Sequence, residues 1–385
     1  MRSWWLVVAL LAGCGSRFKL DARKVSRVRV VLADRGDTYC PRLGLLPEVV
    51  AIVETTDGKV LETWSPANPS GKLQAREFTW STDVGPVEKN GVIDMTHDLL
   101  SWHDRPFMVR ALLPARAELT AEQRITPRFD CEVVADVSGI DDDSTTASGD
   151  GAPGGHAPRV EVALAWVDTK LNGRLVLARV RDRDLGRWEY FLIDRRSGRR
   201  LSIDASGGDG AAARSGVRGA NGASGTRGLD GATGGLCQNG QDGAPGSDGL
   251  AGGDGQPGGR GGDGGRGAIV TVLYPAAFPE LLEAVDISVV GGKGGAGGDG
   301  GPGGAGGAGG SGGSGGSAGP TSDPTRACTT SAGAAGREGR RGPDGRPGSA
   351  GSPGQPGAPG TITTQPSSVR ELFGFELARG WRIVE

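Results

Sequence analysis

Two dipeptides set a metal-ligating side chain beside a carboxylate: His97-Asp98 and His103-Asp104, six residues apart. Imidazole and carboxylate are both zinc donors. The chain has only three histidines, however, and both pairs also read as solvated loop residues around Trp102, so no metal is expected. Asp141, Asp142 and Asp143 with Asp150 offer carboxylates to calcium but lack the spacing of an EF-hand loop, and an acidic linker is the better reading. There is no Ser/His/Asp order, no HExxH and no CxxC, so no catalytic residue and no cofactor is assigned. The five cysteines divide into Cys14 near the start and Cys40, Cys131, Cys237 and Cys328 beyond it. An even remainder of four suits two disulfides in an oxidising compartment. Sequence allows three connectivities; Cys40 with Cys131 and Cys237 with Cys328 is preferred because each pair shares a compositional segment.

The element that must position most of this is glycine at every third residue from Gly207 to Gly360. In four windows (207–234, 240–267, 291–318 and 333–360) the multiples of three are Gly at 38 of 40 places, with Ala213 and Ala318 the exceptions. A three-residue period belongs to polyproline II, which has no internal hydrogen bonds, so its amides need partners on neighbouring chains or in water. One Gly per triplet leaves one face bare for close approach, and two leave two. The third window, beginning Gly291-Gly292-Lys293-Gly294-Gly295-Ala296, is of the second kind and belongs inside a bundle. The first and fourth belong at its rim. A flexible linker would have no reason to keep the frame. A collagen triple helix would keep it, and the fourth window has the Pro content for one, but the first has no Pro at all.

This pattern resembles the glycine-rich, six-rod domain of the Obg family of GTPases, most closely at Gly261-Gly262-Asp263-Gly264-Gly265-Arg266-Gly267 running into the apolar stretch Ala268–Tyr274. It also resembles Gly-Gly-X antifreeze bundles. The resemblance implies an antiparallel bundle of polyproline II rods. The GTPase activity does not follow, because no GxxxxGK[ST] is present. If alternate rods run antiparallel, the connectors 235–239 and 319–332 meet at one end, bringing Cys237 to Cys328.

At the N-terminus an apolar run from Trp4 to Ala12 is too short to span a bilayer at the usual ~20 residues and reads as a secretory signal. It ends Leu11-Ala12-Gly13-Cys14, which resembles the bacterial lipobox. That resemblance implies cleavage before Cys14, a lipid anchor on Cys14, and, with Gly15 following, sorting to the outer membrane. A formal net charge of −2 gives no basic field for nucleic acid.

The remaining segments read as strands. Residues 21–138 suggest an immunoglobulin-like β-sandwich, with strands at Val25–Ala33, Val49–Thr55, Lys59–Trp64, Glu77–Ser81, Pro106–Leu113 and Asp130–Val137. Asp57-Gly58 supplies a hairpin turn, and Leu119–Ile125 reads as a short helix ended by Pro127. Residues 139–157 read as an acidic Gly-rich linker and 158–206 as a four-strand meander. The bundle occupies 207–360 with a β insert at 268–290, and 361–385 is an apolar tail that docks. Segment 1–13 is the signal and 14–20 the tether.

The expected fold is therefore mostly β with polyproline II and little α-helix. The whole chain resembles collagen-like, glycine-rich bacterial lipoproteins. The function this implies is a non-enzymatic, lipid-anchored protein of the bacterial outer membrane, facing the periplasm or the surface. The bundle would be its spacer or display surface. Its partners are the membrane through Cys14 and an envelope protein or polysaccharide, and the chain is expected to be a monomer. The alternatives are a homotrimeric collagen-like adhesin or stalk, and an ice-binding or hydration protein.

Overall fold

The structure, a computed structural model, describes residues 20–41, 46–95, 99–323 and 326–385. Eight strands precede the glycine region: β1 (Val25–Leu32), β2 (Thr38–Tyr39), β3 (Val49–Thr55), β4 (Val60–Glu62), β5 (Thr79–Thr82), β6 (Phe107–Leu112), β7 (Thr120–Pro127) and β8 (Val133–Asp136). They form a three-stranded sheet, β1-β3-β4, and a four-stranded sheet, β2-β7-β6-β5. Val28, Val30 and Leu32 from the first and Phe107, Val109 and Ile125 from the second fill one core, because alternate residues of each strand point the same way. Gly58, at φ +79°, makes the tight β3–β4 turn. The expected helix at Leu119–Ile125 is strand β7 instead. Its antiparallel pairing with β6 and the burial of Ala121 and Ile125 outweigh local helix preference. In the first sheet β1 pairs antiparallel with β3, and in the second the short β2 lies parallel to β7.

Four more strands follow: β9 (Arg159–Thr169), β10 (Gly173–Asp182), β11 (Arg187–Ile193) and β12 (Leu201–Asp204). Only the first three make the expected meander. β12 leaves it to run parallel between β8 and β14 (Val285–Ser288), while β9 takes β13 (Ile269–Pro275) as its other neighbour. The near-continuous apolar run of β9 explains this, since such a strand is buried on both faces. Ala163, Ala165 and Val167 face the sandwich core, and Val160, Val162 and Leu164 face a second core with Leu201, Ile203, Val270 and Leu281. A two-residue ribbon, β15 (Ser322–Asp323) with β16 (Arg326–Ala327), lies in the last glycine connector.

The tail supplies β17 (Thr361–Ser367), which extends the five-stranded sheet to β11-β10-β9-β13-β17, and helix α1 (Val369–Ala378). Ser368 caps α1: its hydroxyl accepts from the Glu371 N–H, and Glu371 accepts from the Ser368 N–H in return. Leu372, Phe373, Trp381 and Ile383 enter the sandwich core.

From Gly207 to Gly360 the chain makes four extended segments without strand pairing of the ordinary kind: segment 1 (207–234), segment 2 (240–267), segment 3 (291–318) and segment 4 (333–360). Every third residue donates a backbone hydrogen bond to a neighbour. Segments 1 and 3 run parallel, from Gly207 N–H to Val290 O through Gly234 N–H to Ser317 O. Segments 2 and 4 run parallel, from Gly243 N–H to Ala334 O through Gly267 N–H to Ala358 O. Neighbours from the two sets are antiparallel, as in Gly265 N–H to Gly208 O and Gly357 N–H to Gly292 O. Glycine is required because a Cβ on Gly306 would overlap the Gly342 carbonyl of segment 4, and one on Gly307 the Ala223 carbonyl of segment 1. Segment 3 therefore needs both glycines of each pair.

Residues 139–157 are not a free linker. Gly151, Gly154 and Ala157 donate to Arg260, Asp263 and Arg266 of segment 2, and Gly155 accepts from Gly208 of segment 1. Asp142 N–H donates to Asp209 O on the other side. The base of the bundle thus has six extended segments in two layers of three. One layer, 139–142 with segments 1 and 3, continues β8, β12 and β14. The other, 149–157 with segments 2 and 4, runs into β9, β13 and β17.

Candidate functional site

Cys14, His97 and Asp98 lie outside the described residues. Cys40 and Cys131 are joined as a disulfide with their Cα atoms 6.3 Å apart, tying the end of β2 to the approach to β8. Cys237 and Cys328 are joined at the far end of the bundle, Cα atoms 5.7 Å apart, linking its two outer connectors. Asp130 stands next to the first pair but binds Arg128, and thiols held in a disulfide are not metal donors.

His103 is buried, its ring stacked on Trp381 at 4.6 Å and its Nδ1 2.8 Å from the Leu99 carbonyl. Asp104 accepts from the Leu171 N–H at 2.9 Å and pairs with Arg382 at 2.9 Å. This dipeptide therefore fastens the tail and the β9–β10 turn. The acidic run likewise serves the bundle: Asp141 accepts from the Asp209 N–H and Asp150 from the Arg260 N–H, both at 2.7 Å.

A ladder of such bonds runs along the bundle and was not legible as a motif. Asp209, Asn221 and Asp230 each accept from the N–H of the residue 84 positions on, at Lys293, Ala305 and Ser314. Asp242, Asp248, Asp254 and Asp263 do so 92 positions on, at Ala334, Arg340, Arg346 and Gln355. These are the registers of β12 with β14 (Leu201 opposite Val285) and of β13 with β17 (Ile269 opposite Thr361). One register thus passes unbroken from sheet to bundle. The Gln355 N–H, then Arg260, holds the Asp263 carboxyl below its usual range, and the Arg260 N–H, then Ser148, does the same for Asp150.

The tail is fastened by a buried ion pair. Glu376 accepts from Arg179 at 2.8 Å and from the Tyr190 hydroxyl at 2.7 Å. Burial, then this carboxylate, pushes Tyr190 up to about 12.

Where sheet and bundle meet, a cleft of about 740 Å³ opens. Its walls are the β10–β11 turn, the stretches 135–140 and 155–159, and the junction 266–269. Asp184 forms one side with Arg159, accepting from its backbone N–H at 2.9 Å and pairing with its guanidinium at 2.7 Å. The backbone bond, then the side-chain one, lowers the Asp184 carboxyl. Asp182 caps the turn by accepting from the Asp184 and Leu185 N–H groups. His156 Nδ1 accepts from the Arg266 N–H at 3.0 Å, which leaves Nε2 to carry the proton of the neutral ring. Ser138 Oγ donates to Asp136 at 2.7 Å and has no imidazole partner among the described residues. These residues come from four separate stretches, and no local spacing announces them.

No helix among the described residues is long and apolar enough to cross a membrane. Comparison with protein families, with characterised proteins and with solved structures finds no match for this chain.

Proposed function

We propose that the protein is a non-enzymatic structural or display protein of the bacterial cell envelope, held to the outer membrane by lipid on Cys14. Segments 1 to 4 act as polyproline II rods that form a stiff spacer. The observation that carries this reading is the unbroken backbone ladder: each 28-residue segment is bonded along its whole length to at least two others. At ~3.1 Å per residue such a rod is about 87 Å long. Amides bonded to segments of the same chain favour a self-contained bundle over a triple helix built from three copies. Several acyl chains on one cysteine would make the attachment stable, where one chain is marginal.

The test is the solution mass and scattering profile of residues 17–385. A monomer whose longest dimension exceeds the ~87 Å rod supports the spacer. A trimer that loses its polyproline II circular dichroism cooperatively would replace it with the collagen-like stalk. Anchoring is tested separately: Cys14→Ser should move the full chain from the membrane fraction to the soluble one. Thermal hysteresis in the same preparation would bring the ice-binding alternative forward.

A further inference from the structure

We propose that the cleft between the five-stranded sheet and the bundle base binds a saccharide bearing a carboxylate, a uronate unit. This is independent of whether the chain is anchored or serves as a spacer.

The charge inside the cleft carries the first part of the inference. Asp136, Asp182 and Asp184 are all engaged within the chain, on Ser138, on the β10–β11 turn and on Arg159. Glu189 is likewise held by the chain. Arg187 and Arg266, in contrast, enter no ion pair among the described residues, and both line the cleft. The groups left to a ligand are thus two guanidinium forks and the Nε2–H of His156. A planar guanidinium matches a carboxylate through two parallel hydrogen bonds, which a neutral ligand cannot reciprocate.

The second part concerns the rest of the ligand. Glycines 139, 155 and 267 line the cleft without side chains, which leaves room for a ring, while their N–H groups are already bonded to Ser206, Ile140 and Ala358. The hydroxyls of a sugar can stay toward solvent in this open cleft, whereas an alkyl chain would need an enclosed apolar tunnel. At the rim, Trp188 is 51% exposed and Leu185 67% exposed, apolar surfaces of the kind that cover the C–H face of a sugar ring. A volume of about 740 Å³ lies within the ~300–1,000 Å³ of small-ligand sites.

The experiment is calorimetric titration of the full chain in detergent micelles with trigalacturonate. Its methyl ester, of the same shape but uncharged, and inorganic phosphate serve as controls. Arg187→Gln and Arg266→Gln are titrated alongside, their folding checked by unchanged circular dichroism. Saturable binding of the acid is expected, weakened at least tenfold by esterification and at least tenfold by either substitution. Failure of the acid to bind would overturn the proposal. So would equal binding of the ester, binding untouched by both substitutions, or phosphate that competes on equal terms with the saccharide.

Discussion

In the β body, Phe107, Ile125, Leu175, Leu177 and Phe373 are wholly buried, and the strands are held by apolar side chains that interlock between sheets. In the four glycine segments Ala211 is the one buried residue with a side chain, and what fills the interior is backbone. Both regions satisfy their buried amides, but the body does so behind hydrophobic cover and the bundle through its own closest contacts. The two should therefore respond to different insults. The body should suffer from side chains made smaller, the bundle from side chains made larger by a single methyl.

Each region has one disulfide, and each disulfide closes a sequence separation of 91 residues. Loop entropy assigns them the same contribution, about 4–5 kcal/mol. Replacing Cys40 and Cys131 by Ser should lower the main unfolding transition by an amount of that order. Replacing Cys237 and Cys328 should act first at the bundle's free end, where hydrogen exchange of the amides near Gly231 and Gly243 should speed up before any global unfolding. Identical exchange patterns in the two double variants would mean that body and bundle open as one unit.

Next in size, Phe373→Ala should cost about 3–5 kcal/mol by leaving a cavity in the sandwich core, where its ring also lies 5.2 Å beneath the Arg179 guanidinium. Gly307→Ala should cost about 1–3 kcal/mol, since its Cβ would overlap the Ala223 carbonyl and two segments must part to accept it. The neighbouring Ala308→Val, exposed on segment 3, should change stability by no more than about 0.5 kcal/mol. Chemical denaturation followed by near-ultraviolet signal for the body and far-ultraviolet circular dichroism of the glycine segments separates the three. A tolerated Gly307→Ala would show that the segments are looser than their ladder implies.

The bundle's layout was the more legible of the two in sequence, because a steric rule is written at every third position. Paired glycines in segment 3 mark a segment contacted on two sides, and they meet segments 4 and 1 respectively. The same rule, read further, would have recovered the fifth segment: Gly259, Gly262 and Gly265 are second glycines that meet Gly149, Ala152 and Gly155. Where that segment stops, Gln256 and Leu250 take the same triplet position with exposed side chains, and Gly253 between them is exposed as well. The body was less legible. Strand positions followed alternation, but β7 was hidden by a locally helical composition, and the departure of β12 from its meander depends on β8 and β14, far off in sequence. The cleft was least legible, since Arg187, Arg266 and His156 become neighbours only through the sheet-to-bundle register.

Acid should act on the bundle through two of these contacts. Asp150 and Asp263 have carboxyls lowered in the folded state, chiefly by backbone N–H groups of the adjacent segment. A lowered folded pKa means stability that is complete above the unfolded value near ~3.9 and is lost as pH falls through the folded one. The melting temperature of the glycine segments should therefore be flat above about pH 5 and decline below about pH 4. A decline that began near neutrality would point to histidine instead.

The smallest effect tests the ladder itself. Asp254 Oδ1 accepts from the Arg346 N–H at 2.7 Å, and Asn221 and Asn239 make the same bond in their own positions. The acceptor oxygen, not the charge, is thus what the register requires. Asp254→Asn should leave the bundle's stability at neutral pH unchanged. Asp254→Ala returns the amide to water and should cost a few tenths to about 1 kcal/mol. If Asn behaved like Ala, the carboxylate's charge would be what matters, and the ladder would be an electrostatic device rather than an extension of the backbone pairing that continues from β13 and β17.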